Sequence, residues 1–261
     1  MYCELTDNIS INNEIFRLDF ILPGQVQTGF AAPKAGQFFM VKPKRSAVFL
    51  GRPISVALWK SNIVTFLIAR RGRGTMELAS MRTGEEAELI GPLGNAWGDF
   101  LPEFTRDNDK PIALIGGGAG LAPLLAFLGE EPPYRLVLHA GFRTGFAGTE
   151  EKNALLGSAF PAAEKIIIAT EDGTEGHKGR IPDFLETEQY AAVCACGPEP
   201  MLQAVAAKCK IATVPCLISM ERRMACGAGA CLGCTVRTAG GNRRCCADGP
   251  VFIADEVIFD D

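Results

Sequence analysis

Four cysteines near the end of the chain carry the strongest chemical signal. Cys226, Cys231 and Cys234 stand in the run Cys-Gly-Ala-Gly-Ala-Cys-Leu-Gly-Cys, and Cys245 and Cys246 follow after ten and eleven further residues. The C-x4-C-x2-C spacing with a distant fourth cysteine is that of a 2Fe-2S cluster, whose two irons are held by thiolates. Such a centre takes one electron at a time. A chain folding around a charged inorganic core must turn tightly and aim N–H groups at its sulfurs, and Gly227, Gly229 and Gly233 permit the backbone angles this requires. A structural zinc site is the plainer use of clustered cysteines, but zinc ribbons read as two separated C-x2-C pairs without a C-x4-C step. Cys245 and Cys246 are adjacent and cannot easily both reach one cluster, so spacing alone leaves the fourth ligand open.

Two glycine turns suggest a nucleotide. Gly116-Gly117-Gly118-Ala119-Gly120-Leu121-Ala122-Pro123 follows an expected strand and opens an expected helix. There the backbone can approach a pyrophosphate and the helix N-terminus supplies N–H donors. The run is not the usual G-x-G-x-x-G fingerprint, and a glycine turn is also plain architecture. Cys196-Gly197-Pro198-Glu199-Pro200-Met201 ends a later strand of the same segment, so both turns would line one crevice. Cys196 reads equally well as a nicotinamide contact or as a small buried residue.

Arg52-Pro53-Ile54-Ser55 and Gly72-Arg73-Gly74-Thr75 combine a guanidinium and a helix start, both suited to phosphate, with a hydroxyl suited to a ring nitrogen. Ahead of a nucleotide segment and a cluster, they read as a flavin site. Gly91-Pro92-Leu93-Gly94-Asn95 reads mainly as a linker, and His139 and His177 as structural groups. Glu171-Asp172-Gly173 fits a ribose contact or a surface turn, and Cys3, Cys194, Cys209 and Cys216 show no metal spacing.

The elements that must position these residues fall into three segments. The 261 residues, 48% of them hydrophobic, suffice for several cores. A net charge of -4 without an aromatic-interleaved basic run gives no footprint for nucleic acid, and Arg70 to Arg73 reads as a local anion site or a turn. Ten cysteines without a signal-peptide pattern fit a reducing, cytoplasmic setting. The uncharged stretch from Pro111 to Gly129 is long enough to be taken for a membrane span. Its glycines and Pro123 instead indicate a strand, a turn and a buried helix.

Residues 1–103 show short β-branched runs at Ile15 to Leu22, Gln37 to Val41, Ile54 to Trp59, Ile63 to Ala69 and Glu86 to Ile90. Turn pairs at Pro23-Gly24, Ala35-Gly36 and Thr83-Gly84 punctuate them. An antiparallel barrel is expected, with one short helix at Thr75 to Met81. Residues 104–213 alternate strands at Ile112 to Ile115, Arg135 to Ala140, Lys165 to Thr170 and Ala192 to Cys196 with helices at Pro123 to Leu128, Thr149 to Leu156 and Pro200 to Lys208. This predicts an α/β parallel sheet with helices on both faces, binding its ligand at the strands' carboxyl ends. Residues 214–261 are too few for a large core, so the cluster is expected to organise them.

Nearly the whole chain resembles the ferredoxin reductase-like flavoproteins. Within them it is similar to the electron-transfer subunits of two-component, NAD-linked dihydroorotate dehydrogenases. The resemblance is carried by Gly36-Gln37-Phe38, Arg52 to Ser55, Gly74-Thr75, Gly91 to Gly94, Gly116 to Pro123, Cys196 to Met201, Glu221 to Gly227 and Cys246-Ala247-Asp248-Gly249-Pro250-Val251-Phe252. It implies that Arg52, Pro53, Ile54, Ser55, Gly74 and Thr75 bind FAD, with the backbone of Leu67, Ile68 and Ala69. Gly117, Gly118, Gly120, Cys196, Gly197 and Pro198 would bind NAD, and Cys246 would be the fourth cluster ligand. Many of these reductases carry an aromatic residue where this chain has Ile54 and end in one that shields the flavin, whereas this chain continues into a cluster segment.

Nicotinamide exchanges two electrons as hydride and a 2Fe-2S cluster accepts one, so FAD is needed as the adapter. The resemblance further implies a partner whose FMN oxidises dihydroorotate to orotate in pyrimidine biosynthesis, in a complex of two copies of each subunit. A related possibility is the small subunit of an NAD(P)H-ferredoxin transhydrogenase or sulfide dehydrogenase, where aspartate commonly replaces the first cluster cysteine. A non-catalytic redox sensor is the reading from another class.

Overall fold

The computed structural model describes residues 1–22, 31–105, 109–157 and 161–259, so the expected Pro23-Gly24 turn lies outside them. Six strands, β1 Tyr2–Ser10, β2 Ile15–Ile21, β3 Phe38–Pro43, β4 Arg52–Lys60, β5 Ile63–Ala69 and β6 Glu86–Leu93, close into an antiparallel barrel in the order β1-β2-β5-β4-β3-β6. Alternate side chains fill it: Leu5, Phe16, Leu18, Phe20, Phe39, Val64, Phe66 and Leu89 are all fully buried. Phe66 takes Phe20 and Phe39 edge-on, with centroids 6.1 and 5.8 Å apart. β1 was not among the expected strands. Only Cys3 and Leu5 of its nine residues are buried, among Glu4, Thr6, Asp7 and Asn8.

The β4–β5 ladder is incomplete. It runs from Lys60 and Ile63 to Val56 and Phe66, with a register shift between Val56 and Leu58, and stops there. Beyond that point, among the described residues, Arg52 to Ser55 pairs only with β3, and Leu67 to Ala69 only with β2. One end of the barrel therefore opens between two neighbouring strands. Helix α1, Arg73–Ala79, follows β5 and begins two residues before the expected start.

The second unit is a seven-stranded sheet in the order β10-β9-β8-β7-β11-β12-β15. Its strands are β7 Ile112–Gly117, β8 Leu136–Phe142, β9 Lys165–Thr170, β10 His177–Lys178, β11 Ala192–Cys196, β12 Cys216–Ser219 and β15 Val251–Ile253. All pairings are parallel except that of β12 with β15. Helix α2 Leu101–Thr105 leads from the barrel into β7, and α3 Ala122–Gly129, α4 Thr149–Leu156 and α5 Glu199–Ala212 join strands of the sheet. From β7 the chain adds strands on one side, then returns to place β11 on the other, so a switch point lies between β7 and β11.

The uncharged stretch from Pro111 to Gly129 is β7, a turn and α3. Residues 122–128 are buried because α3 is wedged between this sheet and the barrel. A Cβ on Gly129 would lie 2.9 Å from Leu58 Cδ1 of β4, and Trp97 Nε1–H donates to the Pro123 carbonyl at 3.1 Å. Among the described residues no helix is long and apolar enough to cross a membrane.

Residues 214–261 do not depend on a cluster alone for their core. β12 and β15 extend the parallel sheet, and Val236, Cys245, Phe252 and Val257 share a core with Ile115, Val193 and Leu202. The cluster loop and a hairpin of β13 Thr235–Thr238 and β14 Gly241–Arg244 are an excursion between these two strands.

His139 of β8 is fully buried. Its Nε2 lies 2.9 Å from Tyr190 Oη, while Nδ1 has no partner among the described residues, so only one nitrogen is satisfied. Burial, with Lys165 nearby, lowers its pKa from 6.5 to about 4. The unfolded chain therefore binds more protons between these values, and stability present above pH 6.5 is lost as pH falls toward 4. Between pH 7 and pH 5 this group is expected to remove about 2 kcal/mol. Denaturation of the parent and His139→Phe at both pH values checks this, since the variant should lose correspondingly less.

Candidate electron-transfer site

The open end of the barrel brings the expected flavin residues together. Arg52, Pro53, Ile54 and Ser55 form one lip and Leu67, Ile68 and Ala69 the other. α1 closes the end: Gly74 lies so near the Arg52 guanidinium that a Cβ there would stand 2.4 Å from Nε. Thr75 Oγ1 accepts the N–H groups of Arg71 and Gly72 at 3.0 and 3.1 Å, which fixes the first turn of the helix. Arg70 is occupied elsewhere. Its guanidinium donates to the carbonyls of Asn12 and Ile15 at 2.8 and 3.1 Å and packs on the Phe16 ring. The basic run is thus partly structural.

The two nucleotide turns meet at the switch point. Cys196 pairs with Gly116 across adjacent parallel strands. A Cβ on Gly120 would lie 2.6 Å from the Cys196 carbonyl oxygen and 2.7 Å from Gly197 Cα, so only glycine allows the turns this approach. Gly117 faces Pro198 and Met201 in the same way. Cys196 is buried and its pKa is raised, mainly by burial, as befits a packing residue. A Cβ on Gly118 would lie 3.8 Å from Ile15 Cδ1, and Ile15 is the strand partner of Ala69, so this glycine turn lies beside one lip of the barrel opening.

The cluster loop touches the other lip. A Cβ on Gly227 would lie 2.7 Å from Met40 Cγ, and Met40 is the strand partner of Pro53. Gly227 and Gly229 have φ of +68° and +78°, as the sequence suggested, but the third positive φ belongs to Leu232 at +59° rather than to Gly233. The four thiols are close enough to act on one another, Cys231 on Cys226 and Cys234, with Cys226 behind it, on Cys246. Among the described residues no three His, Cys, Asp or Glu side chains converge as a single-ion site. Four thiols fit a binuclear centre, which needs two ligands on each iron. Backbone N–H groups reach the sulfurs: Ala228 to Cys226 at 3.4 Å, Gly229 to Cys246 at 3.2 Å and Cys246 to Cys234 at 3.4 Å. The Ala228 N–H and then Cys231 lower the Cys226 pKa to about 6, whereas burial and Cys234 raise that of Cys246 to about 11. Cys245 faces away, its buried thiol donating to the Met220 carbonyl at 3.0 Å.

Asn95, read from sequence as part of a linker, anchors the loop to the barrel. Its Oδ1 accepts the Val251 N–H at 2.9 Å, its Nδ2 donates to the Val251 carbonyl at 2.9 Å, and its N–H donates to the Gly249 carbonyl at 2.8 Å. Met40 and Ile15 were also missed, since an apolar strand residue carries no local sign of what packs on it. Asp172 serves its own turn, accepting the Thr174 hydroxyl at 2.6 Å and N–H at 3.0 Å, which favours the surface-turn reading. His177 stacks on Phe184.

Residues 221–258 match the iron-sulfur cluster binding domain of dihydroorotate dehydrogenase B. A dihydroorotate dehydrogenase B (NAD(+)) electron transfer subunit of Clostridium perfringens is 41% identical over 86% of this chain and 87% of its own. The chain belongs to that family. The subunit of Clostridium acetobutylicum is 34% identical over 98% of this chain and 96% of its own. The membership makes the chain an electron-transfer subunit of an oxidoreductase, as the sequence suggested. In fold, the family member resembles a chain of the NADH-dependent reduced ferredoxin-NADP oxidoreductase, with TM-score 0.78 and 24% identity over 98% of this chain and 89% of that one. A ferredoxin NADP+ reductase from Neisseria gonorrhoeae with bound FAD and NADP gives 0.61 and 17% over 86% and 94%. FAD, an iron-sulfur centre and NAD, the cofactors expected from sequence, agree with this family and fold.

Gly120→Ala sets a methyl against backbone on both sides. It is expected to destabilise the protein by about 1–3 kcal/mol and to weaken NADH-dependent reduction of a soluble dye. An unchanged melting temperature together with unchanged dye reduction would contradict the close approach of the two turns.

Proposed function

We propose that this chain carries electrons between an FMN-containing, dihydroorotate-oxidising subunit and NAD, using FAD in the β4–β5 opening and a 2Fe-2S cluster on Cys226, Cys231, Cys234 and Cys246. One observation carries the reading: the nucleotide turn at Gly118 and the cluster loop at Gly227 lie beside opposite lips of the same opening. Bound in these places, FAD interconverts hydride and single electrons and the cluster relays them singly.

The chain's own residues divide the remaining tasks. Arg52, with Gly74 and Thr75 at the start of α1, holds the flavin phosphates. Ser55 and the unpaired edge of Leu67 to Ala69 offer a hydroxyl and backbone groups to the ring, and Pro53 and Ile54 pack beside it. Gly117, Gly118 and Gly120 admit the NAD pyrophosphate, and Cys196, Gly197 and Pro198 form the floor under the nicotinamide. In the biosynthetic direction dihydroorotate becomes orotate on the partner and NAD is reduced here. The assembly holds two copies of each subunit in the cytoplasm, a reducing setting that suits a chain with ten cysteines.

The deciding experiment is to tag the chain, purify it anaerobically with its partner and assay dihydroorotate-dependent NAD reduction. Activity with an FMN-bearing partner is the expected result. An intact complex that carries FAD and cluster but lacks this activity would move the reading to the ferredoxin- or sulfide-linked relatives.

The ligand set has its own test. Cys246→Ala is expected to lose the cluster absorbance and bound iron, while Cys245→Ala keeps both, because the Cys245 thiol is turned to Met220. The reverse pattern would make Cys245 the ligand. Nucleotide choice gives another expectation. Arg143, directly after β8, is the cation suited to a 2′-phosphate, and Glu14 of the barrel holds it in an ion pair. Glu14→Gln should raise kcat/KM for NADPH several-fold and leave that for NADH within about twofold, a ratio read by dye reduction.

A further inference from the structure

An ion pair closes the cluster loop and has no role in the function proposed above. Asp248 Oδ2 accepts the Arg244 backbone N–H at 2.7 Å and its Nε–H at 2.9 Å, while Oδ1 accepts Nη2–H at 2.7 Å. Three bonds to one carboxylate fix the guanidinium fork. Its other terminal nitrogen, Nη1, donates to the Gly229 carbonyl at 3.3 Å. Gly229 in turn donates its own N–H to Cys246 Sγ at 3.2 Å. A Cβ on Gly229 would lie 3.0 Å from Ala247 Cβ and 3.1 Å from Arg244 Nη1, so the peptide is held between the arginine and the thiol.

An exposed i,i+4 pair contributes little to stability by itself. This one differs in its connections. It reaches through one peptide unit to a cluster thiol, and it is the closure of the same turn, Arg244 to Asp248, that presents Cys246.

We propose that Arg244, positioned by Asp248, sets the reduction potential of the cluster by holding a fixed positive charge and the Gly229 N–H beside the Cys246 sulfur. The inference rests on the ligand set proposed above. An added electron makes the cluster more negative, so a nearby cation and an N–H aimed at sulfur stabilise the reduced form. The Asp248 charge opposes this effect while its oxygens hold the fork. The pair thereby divides electrons between flavin and cluster without touching either substrate.

The test is an EPR-monitored redox titration of the cluster in the whole complex, with iron and labile sulfide measured on each sample. Arg244→Gln removes the cation, and the one-electron equilibrium is expected to move about tenfold toward the oxidised cluster, which is about 59 mV for one electron. Arg244→Lys restores the charge and should return to within about threefold of the parent. Asp248→Asn leaves the cation and removes the anion, so the shift should be of opposite sign, about threefold toward the reduced cluster. A pair that serves packing alone would move Arg244→Gln and Asp248→Asn in the same direction or not at all, and either result overturns the proposal. If Arg244→Gln fails to hold iron, the sign for Asp248→Asn decides. A parent complex without a cluster signal would overturn the ligand set, and this inference with it, before any variant is compared.

Discussion

The arrangement depends on a strand ladder that stops early. In a closed barrel each strand satisfies its backbone on both neighbours, and buried N–H and C=O groups left over are costly. Past Val56 and Phe66, β4 and β5 separate, and among the described residues neither Arg52 to Ser55 nor Leu67 to Ala69 gains a second strand partner. A flat heterocycle with donors and acceptors along its edge is a chemically suitable occupant. The strand order then arranges everything else. β2 borders the opening on one side and carries Ile15 to the nucleotide turn, while β3 borders it on the other and carries Met40 to the cluster loop.

Much of the fold was legible because the periodicities were local. Ile63 to Ala69, Lys165 to Thr170, Thr149 to Leu156 and Ala192 to Cys196 occur at the residues their patterns indicated. β1 was hidden because its apolar side chains are few, and its place is fixed by pairing with β2 and β6 rather than by its own composition. β12 and β15 were hidden for another reason. They are four and three residues long, and their partners lie in a segment that the cysteines made look self-contained.

The site was legible in its types and not in its connections. Cysteine spacing and glycine turns are written within a few residues and need no tertiary context. Spacing alone left Cys245 and Cys246 open and only the resemblance pointed to Cys246, because the direction of the Cys245 thiol depends on Met220, twenty-five residues away. Asn95 and Asp248 had polar side chains in quoted motifs but no visible task, since their partners are backbone groups and an arginine that only the folded turn supplies.

The return of the chain into the sheet at β15 bears on how firmly the cluster loop is held. A loop that leaves one strand and re-enters beside it has both ends fixed by ladder hydrogen bonds and by a core shared with Ile115 and Leu202. The span of the loop is thereby set by the sheet on both sides, while Cys231 and Leu232 stand exposed at its rim. The face a redox partner would meet is a short exposed edge carried on a rigid base.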